Sequence, residues 1–363
     1  MGKQVNNQYA PDRVSPPGAT LQEILDAQGL SQLDFAKRIG RTTKNVNQIV
    51  KGKAPILPEV AILFETVLGV PADFWLAREQ RYQESLARGE ADAELASETD
   101  WPSRFPIAEM IRRGWVRRVT GGVAQLREML RYFAISNPSR FDQVCDAAGV
   151  AYRKSQAFEA DEFALVAWIR HGEIEGHQIE CAPYSEARFR AALEEVRHFS
   201  ASVEGEFSEK LRDICAPAGV AVVVTEELPK CRVSGATKWL SSTKALLQVS
   251  LRYKRDDRFW FSFFHEAGHI VLHARKDVFI DNDSRARADL ELEADRFASD
   301  LLIPPADYRG FVKKGKFDDD SIRRFARSLG LAPGIVVGRL QYVKVIPWSW
   351  GNSLKRELEW TDS

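Results

Sequence analysis

Residues 259–273 are apolar almost throughout, yet they carry two histidines and a glutamate in the order His265-Glu266-x-x-His269. On a helix, positions i and i+4 share one face, one turn apart. His265 and His269 therefore point at one spot, with Glu266 turned from them by about 100°. A helix that is apolar nearly all round is a buried helix. Two neutral imidazoles inside it need partners, because an unpaired buried polar group is costly. One metal ion serves both. The pattern is that of two imidazoles on Zn²⁺ with a carboxylate beside the water it activates.

A catalytic zinc site takes three protein ligands and keeps a fourth position open. Downstream, Leu290 to Ala298 offers two acids, Glu291 and Glu293, which fall on different faces of a helix. Leu290, Ala294, Phe297 and Leu301 make an apolar stripe with the helical period, and Glu293 borders it. Glu293 is thus the expected third ligand and Glu291 the second choice. Upstream, Gly219 to Thr225, Gly235 to Leu240 and Ala245 to Leu251 read as strands of a small sheet. Ala245 to Leu251 is the candidate edge for a peptide bound as an added strand. His273 and Tyr308 are candidate donors to an oxyanion, His273 being the better candidate for a supporting or core residue.

Formal net charge is zero, so no global basic field predicts nucleic-acid binding, and any such site must be local. The cysteines, Cys145, Cys181, Cys215 and Cys231, form no C-x-x-C pair. That argues against a Cys-type zinc site or a disulfide framework and predicts a reducing, cytoplasmic setting. The polar start, Met1 to Asn7, predicts no signal peptide, and no apolar run is long enough to predict a membrane span.

The local basic site is near the N-terminus. Leu21, Ile24 and Leu25 set a helical period that stops at Gly29. Ser31 caps a second helix carrying Leu33, Phe35, Ala36 and Ile39; Gly40 ends it, and Thr42 caps a third, Thr43 to Val50. Two short helices across a tight Gly turn are the helix-turn-helix signature. Thr43, Lys44, Asn45, Asn47 and Gln48 face outward, which are groove-reading types. From Ser31 to Lys53 the basic residues are Lys37, Arg38, Arg41, Lys44, Lys51 and Lys53, and Asp34 is the only acid in that span. Thr43, Lys44, Asn45, Asn47, Gln48, Lys51 and Lys53 are the expected DNA contacts. Pro58 and Pro71 open two more helices, the last with Phe74, Trp75 and Leu76.

The remainder is less informative. Glu90 to Asp100 is acidic and reads as a solvated linker or a helix extension. Residues 104–200 show helical periods broken at Pro138 and Pro183, and no chemistry; an Arg-rich outer face and a sensor or docking role are the readings. A helical pair at Ile322 to Leu329 and Ile335 to Tyr342 is expected to pack on the core. The tail from Pro347 carries tryptophans.

Two resemblances organise these readings. Pro17-Gly18, Leu30-Ser31-Gln32, Gly40, Val46 to Lys53 and Pro71-x-x-Phe74-Trp75-Leu76 resemble the HigA-type antitoxins of the XRE, lambda-repressor-like, DNA-binding family. That implies a five-helix domain, a homodimer on a palindromic double-stranded operator, and autoregulation. Phe264-His265-Glu266-x-Gly268-His269-x-x-Leu272-His273 with Glu293-Ala294-Asp295-Arg296-Phe297-Ala298-x-x-Leu301-Leu302-Ile303-Pro304 resembles the ImmA/IrrE metallopeptidases. Ile303 and Asp295 depart mildly from that family's usual Met and Asn. The resemblance implies His265, His269 and Glu293 as metal ligands, Glu266 as general base, and a repressor, toxin-antitoxin or stress-response protein as substrate.

The expected fold is mainly α, of α+β class: an all-helical domain, a helical segment, then a zincin-like domain with a small sheet. The expected divisions are 16–86 for the helix-turn-helix domain, 87–103 linker, 104–200 helical middle, 201–345 peptidase and 346–363 tail. The expected function is a DNA-binding regulator whose zinc endopeptidase cleaves a specific regulatory protein. The alternative is an antitoxin-like transcription factor whose peptidase-like domain is a non-catalytic sensor. A structural zinc is the weaker reading, since closed sites use four ligands.

Overall fold

The computed structural model describes residues 14–147, 161–202, 207–273 and 284–358. Met1 to Asn7 and the end of the tail, 359–363, lie outside that range. The chain divides into two compact units, Met1–Thr99 and Asp100–Ser363. It is mainly helical with one small sheet, as expected of the α+β class.

The first unit holds α1 (Pro17–Ala27), α2 (Gln32–Arg38), α3 (Thr43–Val50), α4 (Pro58–Leu68) and α5 (Ala72–Leu95). Ser31 accepts from Asp34 N and Thr42 accepts from Asn45 N, satisfying amides that a helix start leaves open. Gly40, at φ +65°, makes the turn between α2 and α3 in a conformation that favours glycine. Gly18 lets α1 touch α3: a Cβ there would stand 2.0 Å from the Ile49 carbonyl oxygen. The core is Leu21, Leu25, Phe35, Val46, Ile49, Phe64 and Trp75, with the Phe64 ring 5.2 Å from Phe35 and 5.3 Å from Trp75. The linker expected from residue 87 is helical through Leu95. Its Ala, Glu and Arg residues are strong helix formers, and Arg88 pairs with Glu84 one turn back.

The second unit is layered on a three-stranded sheet of β1 (Val220–Val224), β2 (Gly235–Ser241) and β3 (Lys244–Val249), in the order β1-β3-β2. β1 runs parallel to β3 and β2 antiparallel to it. Alternate residues face opposite ways along a strand. Val220, Val222, Ala245, Leu247 and Val249 join the main core. Ala221, Val223, Leu246 and Gln248 face the other way. The expectation that Ala245 to Leu251 forms the substrate edge is corrected here. The tight β2–β3 hairpin and the parallel addition of β1 enclose β3 on both sides, so β1 and β2 are the two edges, and β2 is the one that runs past Glu266.

The helical middle, read above as a sensor or docking segment, holds α6 (Ile107–Arg112), α7 (Gly122–Phe133) and α8 (Phe141–Ala147) and supplies a layer of this unit. Helix α9 (Glu162–Gln178) is capped by Asp161 and lies on the second face of the sheet. Gln248 Nε2 donates to the Trp168 carbonyl at 2.9 Å, and Trp168 Nε1 donates to the Thr225 carbonyl. Gly172 and Gly176 make this approach possible: a Cβ at Gly172 would meet Gln248 Oε1 at 2.0 Å, and one at Gly176 would meet Leu246 Cδ1 at 2.9 Å.

On the first face lies α12 (Asp256–Leu272), the helix of the His-Glu motif, joined by α10 (Glu186–Phe199), α11 (Phe207–Cys215), α13 (Ser284–Leu302) and α16 (Pro333–Tyr342). Between α13 and α16 stand α14 (Pro305–Lys314) and α15 (Asp319–Leu329). The tail is pinned to the start of α12. Asp256 N donates to the Arg356 carbonyl, Leu358 N donates to the Lys254 carbonyl, and Leu354 and Leu358 are buried in the main core.

Candidate metal centre

Helix α12 buries Phe259, Trp260, Phe263, Phe264, Ala267, Ile270 and Val271, which fixes its orientation and leaves His265 and His269 half-buried on the remaining side. Gly268 sits where α13 crosses: a Cβ there would stand 3.1 Å from Phe297 Cδ1 and 3.2 Å from Ala294 Cα. The small residue thus lets the two helices close, and α13 brings a carboxylate to the histidines.

That carboxylate is Glu291. Its oxygens lie 3.2 Å from His265 Nε2 and 3.6 Å from His269 Nε2. Glu293 points elsewhere: its side chain is 61% exposed and accepts from His273 Nε2 at 3.0 Å. The structure thus brings Glu291, the second choice, to the two histidines, and Glu293, the first choice, to His273. The apolar residues of α13 that are buried are Ala294, Ala298 and Leu302. At about 100° per residue their mean direction falls within about 20° of Glu291 and about 140° from Glu293. Reading Leu290, Phe297 and Leu301 as the centre of the inward stripe turned the helix by most of a residue.

His265 Nδ1 lies 2.9 Å from Asp295 Oδ1. The carboxylate holds the proton on Nδ1 and leaves the lone pair on Nε2. A second chain of contacts does the same for its neighbour. With Glu293 accepting from His273 Nε2, His273 Nδ1 is left to accept from His269 Nδ1 at 3.1 Å, and the lone pair of His269 falls on Nε2. The two Nε2 atoms then face each other at 3.1 Å, with Glu291 beside both. Two opposed lone pairs and a carboxylate repel unless a proton or cation lies among them. The three donor atoms sit within 4.8 Å of one another, and two histidines with one glutamate match a catalytic zinc donor set. Burial, reinforced by the Asp295 charge, pushes Glu291 up to about 7.

Glu266, next to the pair, is buried at the start of β2. A Cβ on Gly235 would stand 2.7 Å from Glu266 Oε1, so the glycine makes room for this carboxylate at the edge strand. Composition and period do not reveal Gly235 or the orienting role of Asp295. The second had a signal, since Asp295 lies one turn beyond Glu291 on the same face.

In the first unit, Thr43, Lys44, Gln48, Lys51 and Lys53 are exposed along and just beyond α3. Asn45 and Asn47 are half-buried. Asn47 Nδ2 donates to Gln32 Oε1 at 3.1 Å, and Gln32 Nε2 donates to Gln22 Oε1 at 2.7 Å, so this amide braces α3 against α2 and α1.

Comparison with known proteins assigns both units. The IrrE N-terminal-like domain family matches residues 222–341, and the helix-turn-helix family matches residues 21–75. The uncharacterized HTH-type transcriptional regulator YddM of Escherichia coli (strain K12) is 30% identical over 80 residues, which are 22% of this chain and 83% of that protein. The chain belongs to the helix-turn-helix family of XRE type and carries an IrrE-like, peptidase-like domain. Among solved structures, an addiction module antidote protein of a HigA family from Coxiella burnetii is 24% identical, covering 24% of this chain and 95% of its own, with a TM-score of 0.22. The helix-turn-helix match runs from α1 into the first turn of α5. The IrrE-like match begins inside β1 and ends in α16, leaving α9, α10, α11 and the tail outside it although they complete the same unit. Among the described residues, no helix is long and apolar enough to cross a membrane.

Proposed function

We propose that this chain is a DNA-binding transcriptional regulator carrying a zinc-dependent endopeptidase that cleaves a specific regulatory protein, such as a repressor or a toxin-antitoxin or stress-response partner. The observation that carries this reading is the convergence of His265, His269 and Glu291 beside the buried Glu266 at the edge strand. His265, His269 and Glu291 would hold the metal. When bound, zinc supplies Lewis-acid character, polarising a carbonyl and acidifying water. Glu266 takes a proton from the attacking water and delivers it to the leaving amine. Asp295 orients His265, and the His273–Glu293 pair orients His269, each turning the Nε2 lone pair toward the donor set. The peptide lies along β2, whose outer edge has no strand partner among the described residues.

The helix-turn-helix unit reads an operator through α3, as a homodimer on a palindromic site. Thr43, Lys44 and Gln48 face the groove, and Lys51 and Lys53 face phosphates. Asn45 and Asn47 position α3.

The deciding experiment is Glu266→Gln in the full chain. It should keep its zinc and its operator affinity and lose cleavage of the target by about 10²–10⁴-fold. A variant that retains full regulatory activity in cells would instead make the IrrE-like domain a sensor without catalysis.

A further inference from the structure

A cleft of about 370 Å³ opens at the end of the sheet where β2 begins. Its charged lining is Arg113, Lys230, Arg232 and Arg252 against the single acid Glu227. The loop from Glu227 to Arg232 leads directly into β2, and Arg252 follows β3 just past Ser250, whose N–H pairs with the Ser234 carbonyl. Arg113 forms one wall, donating to the Glu226 and Glu227 carbonyls while the Glu109 and Glu226 carboxylates balance its charge. Lys230 and Arg252 are the cations that the mouth of the cleft presents.

The loop is held in a conformation that has a cost. Lys230 and Arg232 both take positive φ, 65° and 39°, which is unfavourable for residues with a Cβ. Three bonds keep them there: Cys231 N to the Leu228 carbonyl, Asp161 N to the Lys230 carbonyl, and the Arg252 guanidinium to the Arg232 carbonyl. Strained residues of this kind concentrate where side chains are presented to a ligand. Here the side chains presented are cations.

Position supplies the ligand class. Gly235, against Glu266, is three residues from Arg232, about 10 Å along an extended chain. A peptide paired with the edge of β2 and passing Glu266 reaches the cleft within about three residues. We infer that this cleft is a specificity pocket of the peptidase, and that it takes an acidic side chain of the substrate about three residues from the bond to be cut. This rests on the peptidase reading above, and the test is designed to separate the two.

The test measures binding in the full-length Glu266→Gln protein, which does not depend on turnover. Fluorescein-labelled eight-residue peptides, alike except for two central Glu, Gln or Lys residues, are titrated by anisotropy at fixed salt, with a labelled oligothymidylate of equal length as a further probe. The Glu peptide should bind about tenfold more tightly than the Gln peptide, a difference of about 1.4 kcal/mol. Lys230→Glu and Arg252→Glu should each abolish that preference and favour the Lys peptide. The exposed Lys230→Gln, which asks nothing of the core, should reduce the preference part-way. Equal binding of the three peptides, or a preference indifferent to these substitutions, overturns the inference. So does oligothymidylate binding that outcompetes the Glu peptide and is lost in the same variants, since the cleft would then be a nucleic-acid site. Charge-selective binding together with absent cleavage by the wild type would sink the peptidase reading and leave the acidic-ligand pocket standing.

Discussion

Lys355 Nζ lies 2.6 Å from Asp257 Oδ2, and the two side chains are only 4% and 3% exposed. The same ammonium donates to Gln341 Oε1 at 2.7 Å, and Gln341 Nε2 donates to the carbonyls of Trp348 and Trp350. One buried cation thus ties the tail, α16 and the first turn of the metal-centre helix. Removing one partner of a buried pair strands the other charge, which costs about 3–5 kcal/mol. Asp257→Ala should therefore lower the urea midpoint of the second unit sharply. Combining it with Lys355→Met should recover much of the loss, because no charge is then left uncompensated. A double variant as unstable as Asp257→Ala would show that the pair is not the source of the effect.

Asp256, the neighbouring residue, gives a pH dependence of opposite sense to ordinary acid unfolding. Burial pushes it up to about 6, with Asp257 adding to the shift and the bonds to the Arg356 and Asp257 backbone opposing it. Its folded value thus exceeds the unfolded value of about 3.9. Between about pH 4 and 6 the native state holds the proton that the unfolded state has released, so this group's contribution to stability falls as pH rises. Asp256→Asn should match the wild type near pH 4 and exceed it by about 2 kcal/mol above pH 7. Urea titrations at the two pH values measure the difference; a constant offset across that range would remove Asp256 as its cause.

The choice between Glu291 and Glu293 is open to direct measurement. His265→Ala, His269→Ala and Glu291→Ala should each leave purified protein with well under one zinc per chain by elemental analysis. Glu293→Ala should retain zinc with an affinity lowered about 10–100-fold, as expected of a residue that acts through His273 and His269. The reverse order of effects would return the third position to Glu293.

Two acids two positions apart are separated by about 200° on a helix, so a modest error in the direction of the buried stripe exchanges them. Of the stripe Leu290, Ala294, Phe297 and Leu301, only Ala294 is fully buried, and Ala294, Ala298 and Leu302 define the packed face. Short-range signals fared better. Ser31 and Thr42 as caps, Gly40 as the turn, the three strands and the His-Glu helix were all legible, because each depends on neighbours within a few positions. What could not be read was pairing across distance. The central place of β3 and the approach of α9 depend on contacts between segments separated by dozens of residues.

For the first unit, Lys44→Ala should weaken binding to all DNA sequences alike and reduce the slope of log affinity against log salt by about 1. Gln48→Ala should instead cost about 1–3 kcal/mol on the operator and little elsewhere. Asn47→Ala, which removes the brace to Gln32, should lower the melting temperature more than it alters sequence preference. Gel-shift titrations at two salt concentrations separate the three; unchanged operator affinity in both Lys44→Ala and Gln48→Ala would remove α3 as the reading helix.

The contact of Gly172 and Gly176 with Gln248 and Leu246 also bears on what can be inherited as a module. The residues that mark this chain's chemistry begin at β1, but the face formed by Ala221, Val223, Leu246 and Gln248 is covered by a helix that comes earlier. A gene fusion or expression fragment that starts at residue 201 would carry the whole donor set and a bare apolar sheet face, a surface that invites aggregation. The smallest portable piece is therefore set by the glycines of α9, far upstream of the histidines, and recombination that separates them should yield insoluble products even when every metal-binding residue is kept.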